Sequence, residues 1–165
     1  MIQKKICMLG TFAVGKTSIV RRFTEDMFSE KYLTTVGVKI DKKEVELDGD
    51  KVMLLLWDLE GEDDFTEIKL SYLRGASGYL LVADGTRAET FDIVIDIQKK
   101  VEASLGTLPF LLLINKCDLT DLWEIEEMDG LQRLSENGWD LLTTSAKTGL
   151  NVDTAFAKLV ARMIR

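Results

Sequence analysis

Gly10-Thr11-Phe12-Ala13-Val14-Gly15-Lys16-Thr17 decides how this chain is to be read. The stretch fits the phosphate-binding pattern G-x-x-x-x-G-K-[ST], and it lies between an apolar run at 6–9 and a helical stretch that begins at Lys16. Glycines at both ends let the backbone curl tightly, so that successive N–H groups point inward at phosphate oxygens, at the positive end of the following helix. The expected cradle is Gly10, Thr11, Phe12, Ala13, Val14, Gly15, Lys16, Thr17 and Ser18. The Lys16 ammonium would reach the β- and γ-phosphates and the Thr17 hydroxyl would ligate Mg²⁺. The pattern predicts a nucleoside triphosphate as ligand.

The rest of the chain narrows the class. With 165 residues and 46% apolar content, residues 1–165 are expected to form a single domain with a full core. The longest apolar stretch, 110–114, is only strand length, so no membrane span is expected. The first residues carry no signal-peptide apolar region, Ile2 excludes myristoylation, and the last five residues hold no cysteine to prenylate. The expectation is a soluble, monomeric chain without a direct membrane anchor. A net charge of −7 argues against a nucleic acid partner and favours proteins or small molecules. Two cysteines, Cys7 and Cys117, are too few for a secreted disulfide scaffold, which points to a reducing cytoplasm. The chain has no histidine, so imidazole can serve neither as general base nor as metal ligand.

Periodicity outlines alternating strands and helices. Strands are expected at 6–9, 36–47, 52–57, 79–83, 110–114 and 140–144, with helices at 16–25, 88–104, 129–137 and from Asn151 onward. Asp48-Gly49 between the second and third strands is a hairpin turn signal. The acidic start of 88–104 and its Lys99-Lys100 pair suit the helix dipole. This order predicts an α/β domain with a mainly parallel sheet and right-handed crossovers, with ligands at the carboxyl ends of the strands.

Further motifs fall just after predicted strands. Asp58 closes an apolar run, where a carboxylate can hold a Mg²⁺-bound water, and Gly61 three residues on can bring its N–H to a γ-phosphate. Asn115-Lys116-Cys117-Asp118 and Ser145-Ala146-Lys147 follow two later strands. An aspartate can accept from both N1–H and the exocyclic amine of guanine, a face adenine does not offer, while the Ala146 N–H can donate to the guanine carbonyl. Asn115 and Lys116 would buttress the loops and cover the ring. Each motif taken singly also reads as an acidic or polar surface turn. Trp123, Trp139 and the 124–127 run read as surface or core filling.

These residues, with Tyr-Leu-Thr-Thr-Val-Gly-Val, Trp-Asp-Leu-Glu-Gly-Glu-Asp, Ser-Tyr-Leu-Arg-Gly-Ala and Asn-Val-Asp-Thr-Ala-Phe, make the chain similar over nearly its whole length to the Ras-like small GTPases, and most of all to Rab proteins. Ras-like proteins are themselves a worked case of phosphoryl-transfer chemistry. The resemblance implies a P-loop NTPase fold of the Ras-like G-domain type: a six-stranded, mostly parallel sheet with five helices on its two faces. It also implies a Mg²⁺-dependent GTP/GDP switch. By motif, Thr35 matches the threonine that completes Mg²⁺ coordination beside Thr17 and Asp58, and Phe28 the aromatic that packs on guanine. Lys16, Thr35 and Glu62 are then the catalytic candidates. Residues 32–37 and 59–74 would be the switches that meet effectors, exchange factors and GTPase-activating proteins.

Three positions depart from the family pattern near the γ-phosphate. Leu59-Glu60-Gly61-Glu62-Asp63 stands where the family carries Thr-Ala-Gly-Gln-Glu, and Phe12 stands where it has a small residue. A glutamine amide can accept from water and donate to phosphate at once, whereas ionised Glu62 only accepts. The expectation is slow GTP hydrolysis. The alternatives left open are an acidic loop turned away from the nucleotide, a Phe12 ring that merely caps the pocket, and a GDP-bound scaffold of the same fold with negligible turnover. An ATP-using phosphotransferase is disfavoured by Asp118.

Overall fold

The computed structural model describes residues 2–29, 37–59, 70–124 and 129–164. Its strands are β1 (Ile2–Leu9), β2 (Val38–Leu47), β3 (Asp50–Leu59), β4 (Gly78–Asp84), β5 (Phe110–Asn115) and β6 (Leu141–Thr143). Its α-helices, among the described residues, are α1 (Lys16–Glu25), α2 (Glu89–Leu105), α3 (Asp129–Glu136) and α4 (Val152–Ile164). The six strands form one sheet in the order β2-β3-β1-β4-β5-β6, parallel throughout except for the β2–β3 hairpin. At that hairpin Asp48 and Gly49 both have positive φ, at 51° and 85°, as a two-residue primed turn requires.

Successive residues of a strand face opposite sides of a sheet, and both sides here are covered. Ile6 and Met8 of β1, Leu54 and Leu56 of β3, Leu80 and Val82 of β4 and Leu111 and Leu113 of β5 face α1 and α4. Their alternates Cys7, Leu9, Tyr79, Leu81, Ala83, Leu112 and Ile114 form the second core layer with Val94, Ile97 and Val101 of α2. Phe23 of α1 and Phe156 of α4 stack at 3.8 Å between ring centroids, joining the two helices of the first layer. The tryptophans read as filling do pack: Trp123 and Trp139 lie partly buried against the second layer, Trp139 edge-on to Phe110.

Two expectations need correction. β1 begins at Ile2 rather than residue 6, because Gln3, Lys4 and Lys5 pair in register with Met53, Leu54 and Leu55 of β3; ladder hydrogen bonds carry polar residues that hydrophobic patterning passes over. The last turn of α2 contains no basic residue, since the helix runs on to Leu105 past Lys99 and Lys100. Its acidic first turn, with Glu89 and Asp92, is as expected.

The sheet order fixes where a ligand can sit. From β1 the next pairing lies on one side, to β3, and the following one on the other, to β4. In open α/β sheets the crevice outside the carboxyl end of such a strand is the binding site. The segment leaving β1 there is 10–15.

Candidate functional site

The two glycines of the loop serve different ends. A Cβ on Gly10 would lie 2.5 Å from the Val82 carbonyl oxygen of β4, so this glycine is required by close approach and has no left-handed φ. Gly15 has φ 101°, and a Cβ there would lie 2.3 Å from Nδ2 of Asn115. The tight curl therefore rests on Gly15 and on Ala13, a non-glycine residue at φ 63°. Gly15 also begins α1, where it brings no side chain that could cap the helix. The positive end of α1 is the kind of terminus that suits an anion.

Side chains from the neighbouring strand ends grip the outside of this loop. Nδ2 of Asn115 donates to the Val14 carbonyl at 3.0 Å, and Nζ of Lys116 donates to the Ala13 carbonyl at 2.9 Å. Nη1 of Arg87 donates to the Phe12 carbonyl at 2.9 Å. Inside the loop, the Lys16 ammonium is nearly buried and donates to the carbonyls of Gly10 and Thr11 at 3.2 and 3.3 Å. Burial pulls its pKa down to about 8, partly offset by the carboxylate of Asp58. An ammonium held in this way favours an incoming anion over an empty loop.

Register brings Asp58 of β3 opposite Met8 of β1, one residue before the loop strand ends. Its carboxylate is fully buried and accepts from the Thr17 hydroxyl at 2.5 Å. Two hard oxygens at the mouth of a phosphate loop suit Mg²⁺, which is typically held by one or two protein oxygens together with substrate phosphates.

The second loop cluster lies at the ends of β5 and β6. Asn115, buried at the end of β5, accepts through Oδ1 from the Thr144 hydroxyl at 3.1 Å while its amide holds Val14. The Cys117 N–H donates to the Thr144 carbonyl, and Lys116 between them adopts φ 69°. Asp118 accepts from the Ser145 hydroxyl at 2.8 Å, and Ser145 in turn accepts from the Thr148 N–H. The Cys117 thiol is pushed up by burial and by Asp118, which keeps it protonated and neutral beside that carboxylate. Arg22 of α1 donates to the carbonyls of Ala146 and Lys147 at 2.7 and 2.5 Å, tying the helix of the phosphate loop to the second cluster. Phe28 packs partly buried against the core layer that contains Ala146. Ser18 is partly exposed and Lys147 exposed. Phe12 is 40% exposed.

The structure thus brings together Gly10 to Ser18, Asp58, Asn115, Lys116, Asp118, Ser145 and Ala146. Thr35, Glu60, Gly61, Glu62 and Asp63 lie outside the described residues. Sequence reasoning missed Asp84, Arg87, Arg22 and Glu124. Asp84, fully buried at the end of β4, pairs with Lys116 Nζ at 2.8 Å and accepts from the Thr86 N–H and hydroxyl. Its signal was an aspartate closing a buried apolar strand, the same signal that marks Asp58. Glu124 accepts from the Ala88 N–H at the start of α2. Neither it nor the two arginines carries a local signal.

A family model described as the Ras family matches residues 5–165. The chain is 38% identical over 162 residues to the GTP-binding protein ypt2 of Schizosaccharomyces pombe, covering 98% of this chain and 80% of that protein. It is 36% identical over 157 residues to the Ras-related protein Rab-13 of Canis lupus familiaris, with 94% and 77% covered. Against the Ras-related protein Rab-10 of Caenorhabditis elegans it is 35% identical over 161 residues, with 97% and 80% covered.

Proposed function

The chain belongs to the Ras family, and on that premise we propose that it is a guanine nucleotide switch that binds GTP and GDP with Mg²⁺ and hydrolyses GTP slowly. The observation that carries this reading is buried Asn115, which bonds the phosphate loop through Val14 and the second loop cluster through Thr144. Phosphates on one side and a base on the other are thereby bound by a single rigid rim. Asp118, held by Ser145, is the acceptor for guanine N1–H and its amine, with Ala146 N–H meeting the guanine carbonyl and Phe28 and Lys116 against the ring. Lys147 completes this loop.

Thr17 and Asp58, with Thr35, would hold Mg²⁺, which when bound supplies charge neutralisation at the β- and γ-phosphate oxygens. Lys16 and the loop N–H groups bind the same oxygens and stabilise the charge that develops as water attacks the γ-phosphate in line. Thr35 positions that water. Glu62 replaces an amide that would both accept and donate, which is the physical reason to expect slow turnover. Residues 32–37 and 59–74 are the surface for effectors, exchange factors and activating proteins, and the exposed Leu70 offers apolar area there. Among the described residues no helix is long and apolar enough to cross a membrane, and the cytoplasm is the proposed site of action.

Single-turnover hydrolysis tests the reading. Purified protein loaded with GTP should release phosphate slowly, and chelating Mg²⁺ or substituting Lys16→Ala should abolish release. Stable GTP binding with no phosphate release over days would instead make the chain a nucleotide-bound scaffold.

A further inference from the structure

We propose that Arg87 is a positioning residue of the phosphate-binding loop: from outside the loop its guanidinium holds the Phe12 carbonyl and so presents the Ala13 N–H to the terminal phosphates of a bound nucleotide. This inference rests on the nucleotide-binding function proposed above and adds a residue to that site.

The argument starts from Ala13. Its φ of 63° is the left-handed conformation, which a residue with a Cβ adopts only at a steric cost. Such a conformation persists only where its surroundings over-determine it. The two peptide planes that flank the Ala13 Cα are 12–13 and 13–14, and each is pinned by a cation on its carbonyl oxygen. Arg87 Nη1 donates to the oxygen of the first at 2.9 Å, and Lys116 Nζ to that of the second at 2.9 Å. No peptide among the described residues is cis. In a trans peptide the N–H points opposite to the C=O. Holding the Phe12 oxygen outward therefore turns the Ala13 N–H inward, just as Lys116 turns in the Val14 N–H and Asn115 the Gly15 N–H. Three consecutive outward carbonyls are gripped, and three consecutive N–H groups form the concave nest that binds anions.

A single carboxylate arranges both cations. Asp84 is fully buried, its Oδ2 lies 2.8 Å from Lys116 Nζ and 3.9 Å from Arg87 Nη1, and its Oδ1 is fixed by two donors from Thr86. Arg87 is also steered from the far side, with Nε 3.5 Å from Oε1 of Glu89. The guanidinium thus reaches the loop from its solvent side, on the carbonyl that faces away from the phosphates. In this position it orients a donor and does not touch the transferred phosphoryl group. Planar, forked donors suit this double engagement better than an ammonium does.

The test compares GMP, GDP and GTP, each displacing a fluorescent GDP from the Mg²⁺-loaded wild type, Arg87→Ala and Arg87→Lys proteins. A hydrogen bond from a charged donor carries roughly ten- to a hundred-fold in an equilibrium constant. Arg87→Ala should weaken GDP and GTP by about tenfold and GMP by less than twofold, and Arg87→Lys should restore most of the loss. The ³¹P resonance of the β-phosphate of bound GDP should move in Arg87→Ala and return toward its wild-type position in Arg87→Lys. Equal weakening of all three nucleotides would make the role merely structural and overturn the proposal. So would unchanged affinities, or a loss confined to the hydrolysis rate, which would place the guanidinium on the reacting phosphoryl group. Failure of the wild-type protein to bind GDP at all would sink the functional reading itself, and is read separately from any effect of the variants.

Discussion

The phosphate-loop motif at 10–17 and the loops at 115–118 and 145–147, proposed to hold the base, stand on the same rim of the sheet but are held in opposite ways. In the first, side chains from elsewhere grip three carbonyls, and the proposed recognition is by the main-chain N–H groups on the other side of those peptides. In the second, Arg22 and Thr144 hold main-chain groups and Ser145 holds the Asp118 carboxylate, the side chain proposed to recognise the base. The difference teaches where identity matters. Under the proposed function a backbone nest tolerates an uncommon residue such as Phe12, 40% exposed, because the peptide and not the side chain meets the phosphates. The carboxylate proposed to read the base, by contrast, acts through its own two oxygens, so its identity should matter.

The strongest way to break the comparison is Gly15→Ala. The added Cβ would meet Asn115 Nδ2 at 2.3 Å while the backbone stays at φ 101°. Strain of about 1–2 kcal/mol adds to the loss of hydrogen bonds at Asn115, each worth about 1 kcal/mol. The two together predict roughly 100- to 1000-fold weaker nucleotide binding, for GDP and GTP alike, measured by displacement of labelled GDP. Because Asn115 joins both loops, discrimination between GDP and ADP should fall as well. Near-wild-type affinity would show that the link between the two regions does not matter.

A smaller effect separates the two ends by pH. Lys16 sits at about pKa 8 in the nucleotide-free fold, lowered chiefly by burial, against about 10.4 for an unperturbed lysine. Phosphates require the ammonium, so binding above pH 8 must take up a proton. GDP affinity should be flat below pH 8 and fall by up to about tenfold per unit above it. Calorimetry in buffers of different ionisation enthalpy should register the uptake. The same shift gives the unfolded chain the greater proton uptake between the two values. The nucleotide-free fold should therefore gain stability as pH rises through that window, the reverse of its affinity. Absence of proton uptake at pH 8.5 would mean that Lys16 is fully charged before the nucleotide arrives.

Much of this was legible in the sequence. The helix at 16–25, the Asp48-Gly49 hairpin and the buried strands of β4 and β5 follow from local patterning, because apolar period and turn chemistry act within a few residues. The motif residues of the rim could be read for the same reason, each following a strand that periodicity reveals. What was not legible depends on contacts between distant parts of the chain. Arg22 meets Ala146 and Lys147 from 124 and 125 residues away, and Arg87 meets Phe12 from 75 away. Nothing near either arginine distinguishes it from a surface residue. The separate duties of Gly10 and Gly15 were also hidden, since close approach to Val82 and a left-handed φ look identical as a letter in a motif.

The division of labour between the two regions is tested most directly by Asp118→Asn, with GDP, xanthosine diphosphate and ADP competing against labelled GDP on wild-type and variant proteins. Exchanging the carboxylate for an amide reverses part of the hydrogen-bonding pattern offered to the base, while the phosphate loop is untouched. The account predicts that wild type binds GDP in preference to the other two, and that the variant loses about ten- to a hundred-fold for GDP while gaining for xanthosine diphosphate. Unchanged GDP affinity in the variant, or a wild type that accepts ADP as readily as GDP, would contradict it.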